Sequence, residues 1–275
     1  MVNASVNDVA TLLRCPRHCL NVVAASRGQV AGNLLLREGG RTAAVDCSDM
    51  GAGGHAITGD IDALCRAQVV ACDAAAILVI EKDATFQHLA ERRLWDSFPS
   101  ILITARGFPD VATRMLLRVL HEAMPRIPVL GVVDFNPAGC GILLTYRNGG
   151  FKDGIGGGEG GGEGGASAST AANESEELMR RALGVPVHWF GPLAADLADL
   201  PTSAFQVLGV RRREMLDRLI ASSALAGTQG ARERAQLMAM SKSGRIAEIQ
   251  AIDAALGEGA LVRMLLRKLA RWPHD

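Results

Sequence analysis

The chain has 275 residues and 48% hydrophobic content, enough for one large domain or two modest ones with real cores. Lys+Arg and Asp+Glu balance at 29 each, so total charge offers nothing to nucleic acid, but the distribution is uneven. Five arginines face Asp8 and Glu38 between Met1 and Arg41, and from Phe205 onward twelve Lys and Arg face seven acids, a basic footprint on both flanks that is compatible with DNA. No apolar run approaches the roughly 20 residues that a membrane-crossing helix needs. The start, "MVNASVNDVATLL", lacks a basic region followed by an apolar run. The expectation is a soluble, intracellular protein with no membrane partner. Cys15, Cys19, Cys47, Cys65, Cys72 and Cys140 show no paired spacing; Cys15, His18 and Cys19 cluster without a second half, so reduced thiols are expected rather than zinc.

In chain order, "CPRHCLNVVAASRG" has helical spacing at Leu20, Val23 and Ala24, and "GQVAGNLLLREGGRTAAVDC" reads as two strands around Gly39-Gly40. "AAILVI" (75–80) is a continuous β-rich run ending at Glu81, followed by helical spacing in "TFQHLAERRLW". "SILITA" (100–105) is a second run, closed by Arg106-Gly107. "DVATRMLLRVLHEAM" (110–124) is amphipathic, with Val111, Met115, Leu116, Val119 and Leu120 on the expected inner face. "IPVLGVV" (127–133) is a third run, "PAGCGILLTY" opens a helix with proline in its first turn, and "VPVHWF" (185–190) is a fourth strand. Between them, "DGIGGGEGGGEGGASASTAANESEE" (153–177) is too rich in Gly and Ser to bury apolar surface and reads as a flexible insertion. It lacks the lysine and spacing of a phosphate-binding loop.

Apolar strands alternating with helices predict a parallel sheet covered on both faces. In such sheets ligands bind beyond the carboxyl ends of the strands, where Glu81 and Asp134 both fall, with Asn136 two residues on. Few, hard oxygen ligands suit Mg²⁺. The alternative is that Glu81 and Asp134 cap helix N-termini.

"ILVIEKDATFQHLAE", "PSILITARGFPDVATRMLLRVL" and "VLGVVDFNPAGCGILLTYRNG" together resemble the Toprim domain of one family: the A subunit of DNA topoisomerase VI and the eukaryotic transesterases that make meiotic double-strand breaks. "GVPVHWFGPLAADLADL" is similar to the family's next strand and turn, and "MSKSGRIAEIQAI" to its late helix. The resemblance implies an α/β, Rossmann-like Toprim fold over 70–275 with the insertion at about 153–177, preceded over 1–48 by the C-terminal part of a winged-helix DNA-binding domain. The segment around Gly39-Gly40 would then be the wing, its alternative being a surface hairpin.

The roles carried over are these. Glu81 matches the metal glutamate, and Asp134 and Asn136 match an Asp-x-Asp pair whose second member is Asn here. That change removes one negative charge from a site for Mg²⁺ or Mn²⁺. Lys82, Arg106 and Arg114 match basic positions near the scissile phosphate, and Arg17 and Arg27 flank the winged-helix remnant; for Arg114 the alternative is an ordinary solvated face. The implied function is the A-type subunit of a type IIB topoisomerase-like double-strand-cleaving isomerase in meiotic recombination. Its implied partners are double-stranded DNA, a second copy as homodimer and an ATP-binding B-type subunit, and its compartment is the nucleus. The family's nucleophilic tyrosine lies in a stretch before residue 1, and Tyr146, the one tyrosine here, matches a structural position. The alternative function is a DNA-binding or assembly paralogue that does not cleave.

Overall fold

The computed structural model describes residues 27–148 and 182–272, with isolated positions before residue 27. The chain begins with β1 (Gln29–Gly32), β2 (Leu34–Arg37), β3 (Val45–Asp46), β4 (His55–Ala56), a short helix α1 (Ile61–Cys65) and β5 (Gln68–Cys72). It continues through β6 (Ala76–Ile80), α2 (Asp83–Glu91), α3 (Leu94–Ser97), β7 (Ser100–Thr104), α4 (Val111–Ala123), β8 (Val129–Val132) and α5 (Pro137–Asn148). Later come β9 (Val187–Gly191), β10 (Gln206–Val207), α6 (Val210–Ala221), α7 (Gly227–Ser243), β11 (Arg245–Ile246), α8 (Ala251–Leu256) and α9 (Ala260–Leu269). The helical spacing around Leu20 with Arg17, the Cys15 cluster and the Gly-rich segment 153–177 lie outside the described residues. Cys47, Cys65, Cys72 and Cys140 carry free thiols.

The main sheet has the order β4-β1-β7-β6-β8-β9. β6 runs parallel to β7 on one side and to β8 on the other, so that Ile77 lies opposite Ile101 and Val129, and β8 runs parallel to β9. Every residue of β6, β7 and β8 is buried. Successive side chains point to opposite faces, so both faces are covered, as the uninterrupted apolar runs require. Phe86, Tyr146, Trp189 and Phe190 are among the largest fully buried side chains.

Three features differ from the sequence-based reading. First, the stretch around Gly39-Gly40 does form a hairpin, β2 against β3, with β5 on the other side of β2, but β1 leaves it and runs antiparallel to β7 in the main sheet. Val30 and Ala31 are fully buried there, and Gly32 (φ +104°) passes so near the sheet that a Cβ would lie 2.2 Å from the Ser100 carbonyl oxygen. The main sheet thus draws a strand from within residues 1–48. Second, the helical stretch after Glu81 breaks into α2 and α3 at Arg93, which adopts a left-handed φ of 44°. Third, α4 buries Ala112, Thr113, Arg114, Leu116, Leu117 and Leu120 while Val111 is exposed, so its inner face is turned by about one residue from the expected one.

α5 starts almost directly off the end of β8, which only a small residue at its third position allows. A Cβ on Gly139 would sit 2.4 Å from the Asp134 carbonyl oxygen and 3.1 Å from the Val133 side chain. Gly139→Ala should therefore destabilise the fold by about 1–3 kcal/mol in urea unfolding, despite alanine's better helix propensity. A loss below roughly 0.5 kcal/mol would mean that the strand–helix junction has slack to absorb a methyl group.

Candidate metal centre

The chain leaves β6 to reach β7 on one side and leaves β8 to reach β9 on the other, so the direction of winding reverses between β6 and β8. A crevice opens beyond the carboxyl ends of strands at such a point. Glu81 follows β6 directly, and its N–H continues the ladder to the Val132 carbonyl at 3.0 Å. Asp134 stands two residues past β8. The Glu81 Oε2 accepts the Asp134 backbone N–H at 2.8 Å, so the Glu81 carboxylate is held against Asp134, close enough for the two side chains to repel each other. Neither caps a helix with its side chain; that is done by Asn136, whose Oδ1 accepts the N–H of Gly139 at 2.9 Å in the first turn of α5. The Asn136 amide then points its Nδ2 at Asp134 Oδ2, 3.4 Å away.

A third carboxylate, Glu248, joins them, and the sequence reading missed it. "MSKSGRIAEIQAI", expected as a helix, is the end of α7, then β11, then a turn into α8, with Gly244 (φ 65°) stopping α7. Phe135 and Ala247 exchange backbone hydrogen bonds of 2.9 and 3.0 Å, which lays residues 245–250 across the end of β8. The N–H of Ile249 donates to Asp134 Oδ1 at 2.8 Å. Glu248 is thereby delivered beside Lys82, the residue before α2. Lys82 Nζ lies 3.1 Å from Asp134 Oδ2 and 2.9 Å from Glu248 Oε2, and donates to Gln250 Oε1 at 2.8 Å. Gln206 Nε2 donates to the other Glu248 oxygen at 3.0 Å, while the Gln206 carbonyl accepts from Arg212 at 3.1 Å. The one usable signal in sequence was an isolated glutamate between two apolar residues in "IAEIQ".

Burial, and then the neighbouring Asp134, push the Glu81 carboxyl up to about 7. Burial also raises Asp134. Burial alone would favour a neutral Lys82, but its bonds to Glu248 and the attraction of Asp134 outweigh it and keep the amine firmly protonated. The hydrogen bond from Lys82, then that from Gln206, lowers Glu248. Among the described residues no three His, Cys, Asp or Glu side chains form a ready-made metal cage, and the Lys82 ammonium stands between Asp134 and Glu248.

Arg106 lies at the same edge. It takes a left-handed φ of 58°, its N–H donates to Thr104 Oγ1 at 3.1 Å, and the next N–H, of Gly107, donates to the Glu81 carbonyl at 2.8 Å. The half-exposed guanidinium is 3.2 Å from Asp83 in the first turn of α2. Holding a non-glycine residue there costs about 1–2 kcal/mol. Arg27 is exposed and pairs loosely with Asp110 at 4.0 Å. Arg114 is not on the solvated face that was its alternative: its relative exposure is 5%, because the turn of α4 carries it to the inner face. Arg17 is outside the described residues. Tyr146 is buried on α5 and its phenol is pushed far above the usual range, so it is no accessible nucleophile.

A mostly parallel α/β sheet with a glutamate after one strand and Asp-x-Asn after its neighbour is a Toprim-type domain. The family model for the Toprim domain of the topoisomerase 6 A subunit and Spo11 matches residues 76–154. The chain is 40% identical over 251 residues to meiotic recombination protein SPO11-2 of Oryza sativa subsp. indica, covering 91% of this chain and 58% of that protein. It is 44% identical over 147 residues to the A subunit of DNA topoisomerase 6 from Arabidopsis thaliana, covering 54% of this chain and 33% of that protein. With meiotic recombination protein SPO11 of Mus musculus it shares 35% identity over 150 residues, 54% of this chain and 36% of that one. The chain belongs to the family of Spo11 and the topoisomerase VI A subunit. It spans well under two thirds of the length of these curated relatives.

The raised carboxyl of Glu81 sets a pH dependence. Between its ordinary value of 4.5 and about 7, the folded chain retains a proton that the unfolded chain releases, so stability falls as pH rises through that window. Glu81→Gln keeps an acceptor for the Asp134 N–H and removes the charge. In EDTA, urea unfolding should find the variant more stable than wild type by about 1–3 kcal/mol near pH 8, the gap closing by about pH 4.5. An equal gap at both pH values would show that Glu81 is not charged against its surroundings.

Proposed function

We propose that this chain supplies the metal- and phosphate-handling half of the active site of a DNA double-strand-cleaving transesterase, the A-type component of a type IIB topoisomerase-like complex, acting in meiotic recombination in the nucleus. The observation that carries this reading is the meeting of Glu81 and Asp134, joined by Glu248, where the sheet reverses its winding, with Lys82 and Arg106 at the same edge. The meiotic assignment is favoured because the match to the rice meiotic protein extends over 91% of the chain, whereas that to the Arabidopsis topoisomerase extends over 54%.

Glu81, Asp134 and Asn136 are the proposed metal residues. The site is tested by its donors: oxygen ligands converge there, and burial holds Glu81 near 7, a carboxyl that gains from a nearby cation. Asn136 contributes by aiming Asp134, since its oxygen serves α5. A bound Mg²⁺ or Mn²⁺ would supply Lewis-acid stabilisation of charge on the phosphate. Lys82 and Arg106 would bind non-bridging phosphate oxygens, Arg106 through its planar fork, and fix the scissile group over the crevice. Arg27 is proposed as a peripheral backbone contact. The attacking tyrosine would come from a winged-helix segment, within a homodimer that works with an ATP-binding B-type partner. A second reading, a protein that binds DNA and assembles the complex without cutting, is favoured by one observation: Asn136 stands where the family has an aspartate, one negative charge fewer.

Mn²⁺ titration followed by electron paramagnetic resonance should detect binding to the wild-type chain, weakened by at least about tenfold in Asp134→Asn, because affinity follows ligand charge. Unaltered affinity in that variant would remove the metal site from this crevice. The same chain joined to a tyrosine-bearing winged-helix segment, with a B-type partner, supercoiled DNA and Mg²⁺, should leave protein attached to DNA after denaturation. Binding without attachment supports the second reading, and an adduct that disappears in Tyr146→Phe would overturn the assignment of the nucleophile.

A further inference from the structure

We propose that the Lys82 ammonium is the resident counter-ion of the carboxylate cluster, and that a divalent cation enters by displacing it, so that metal and amine are competing occupants of one place. This rests on the metal reading above.

Three acceptors from two segments far apart in sequence converge on Lys82 Nζ: Asp134 Oδ2 at 3.1 Å, Glu248 Oε2 at 2.9 Å and Gln250 Oε1 at 2.8 Å. An ammonium has three N–H donors, so this set uses all of them. Asp134 Oδ1 is taken by the N–H of Ile249 at 2.8 Å, which leaves Oδ2 as the oxygen turned to the crevice, and Oδ2 is the one that faces Lys82. A magnesium-sized ion needs its ligand oxygens at about 2.1 Å, and two cations cannot share that oxygen at such distances without strong repulsion. The backbone of Lys82 is fixed between β6 and α2, but its side chain is 27% exposed and its four-carbon stem can swing outward. Displacement would carry the amine towards solvent at the edge where Arg106 lies. Lys82 is thus a positioning residue with two stations, holding the carboxylates together without metal and turning to a phosphate oxygen once metal is bound.

The test uses Mn²⁺ on the chain as it stands. Lys82→Met should bind Mn²⁺ about tenfold more tightly than wild type, because a competing positive charge has been removed. In the wild-type protein, trace acetylation read by mass spectrometry should show the Lys82 amine reacting several-fold faster at saturating Mn²⁺, with exposed Lys242 as the internal reference. Equal or weaker Mn²⁺ binding in Lys82→Met overturns the proposal, as does protection of the Lys82 amine by Mn²⁺. Should the variant fail to fold, the acetylation measurement decides alone. The metal reading fails separately, and takes this proposal with it, if wild type binds no Mn²⁺ or binds it undiminished in Asp134→Asn.

Discussion

Carboxylates gathered at the ends of β6 and β8, largely out of water, repel one another and resist desolvation, and much of the surrounding structure answers that repulsion. An isolated carboxylate buried in protein carries an effective penalty of several kcal/mol, and a hydrogen bond to a charged group returns about 1.5–3 kcal/mol. Asp134 receives the N–H of Ile249, the Lys82 ammonium and the Asn136 amide. Glu81 receives the N–H of Asp134, and its carboxyl still rises to about 7. Compensation is therefore uneven: Asp134 is well supported, whereas Glu81 is left where a proton or a nearby cation lowers its energy. Sites that work on charged groups commonly keep such an imbalance, stabilised by the rigidity around them.

That rigidity comes from two junctions. On one side, α5 is set hard against the end of β8 by Gly139, so Asn136 is at once the helix cap and the neighbour of Asp134. On the other, the Phe135–Ala247 pair ties residues 245–250 across the strand end, which supplies both the N–H on Asp134 and the Glu248 that holds Lys82. The left-handed turn at Arg106 belongs to the same scheme. Its neighbour Gly107 is hydrogen-bonded to the Glu81 carbonyl, so the backbone that carries Arg106 is tied to the residue that follows β6.

What was legible in the sequence follows from how local each signal is. Three fully buried parallel strands, β6, β7 and β8, come from apolar runs, and the residues that close them fall at their carboxyl ends by chain connectivity alone; Glu81, Arg106 and Asp134 could be placed at strand ends on that basis, whereas Lys82 rested on the family resemblance. Glu248 could not. It reaches the site through a single bridge, Phe135 to Ala247, more than a hundred residues apart in sequence, and a two-residue strand such as Arg245–Ile246 leaves no periodicity to read. The burial of Arg114 was hidden for a different reason. Val111 and Val119 made an apolar stripe plausible, but packing chose Leu117 and Thr113 instead, and a turn of about one residue moves an arginine from the outer face to the inner. β1 likewise looked like part of a local hairpin, because a short apolar strand carries no mark of which sheet it will join.

The Asp-x-Asn pattern takes on a physical meaning when Asn136 and Lys82 are considered together. An aspartate at 136 could accept the Gly139 N–H equally well, so the helix cap does not select asparagine. What only the amide can do is donate to Asp134 Oδ2, the same oxygen that faces Lys82. A carboxylate in that position would add a further negative charge beside Glu81 and Asp134 and remove a donor, raising the repulsion that the cluster already carries. Asparagine therefore favours the arrangement seen here, in which an amine and an amide share one aspartate oxygen. The same exchange leaves less negative charge at this edge, so the asparagine and the lysine act in one direction: each offsets the charge that Asp134 carries beside Glu81.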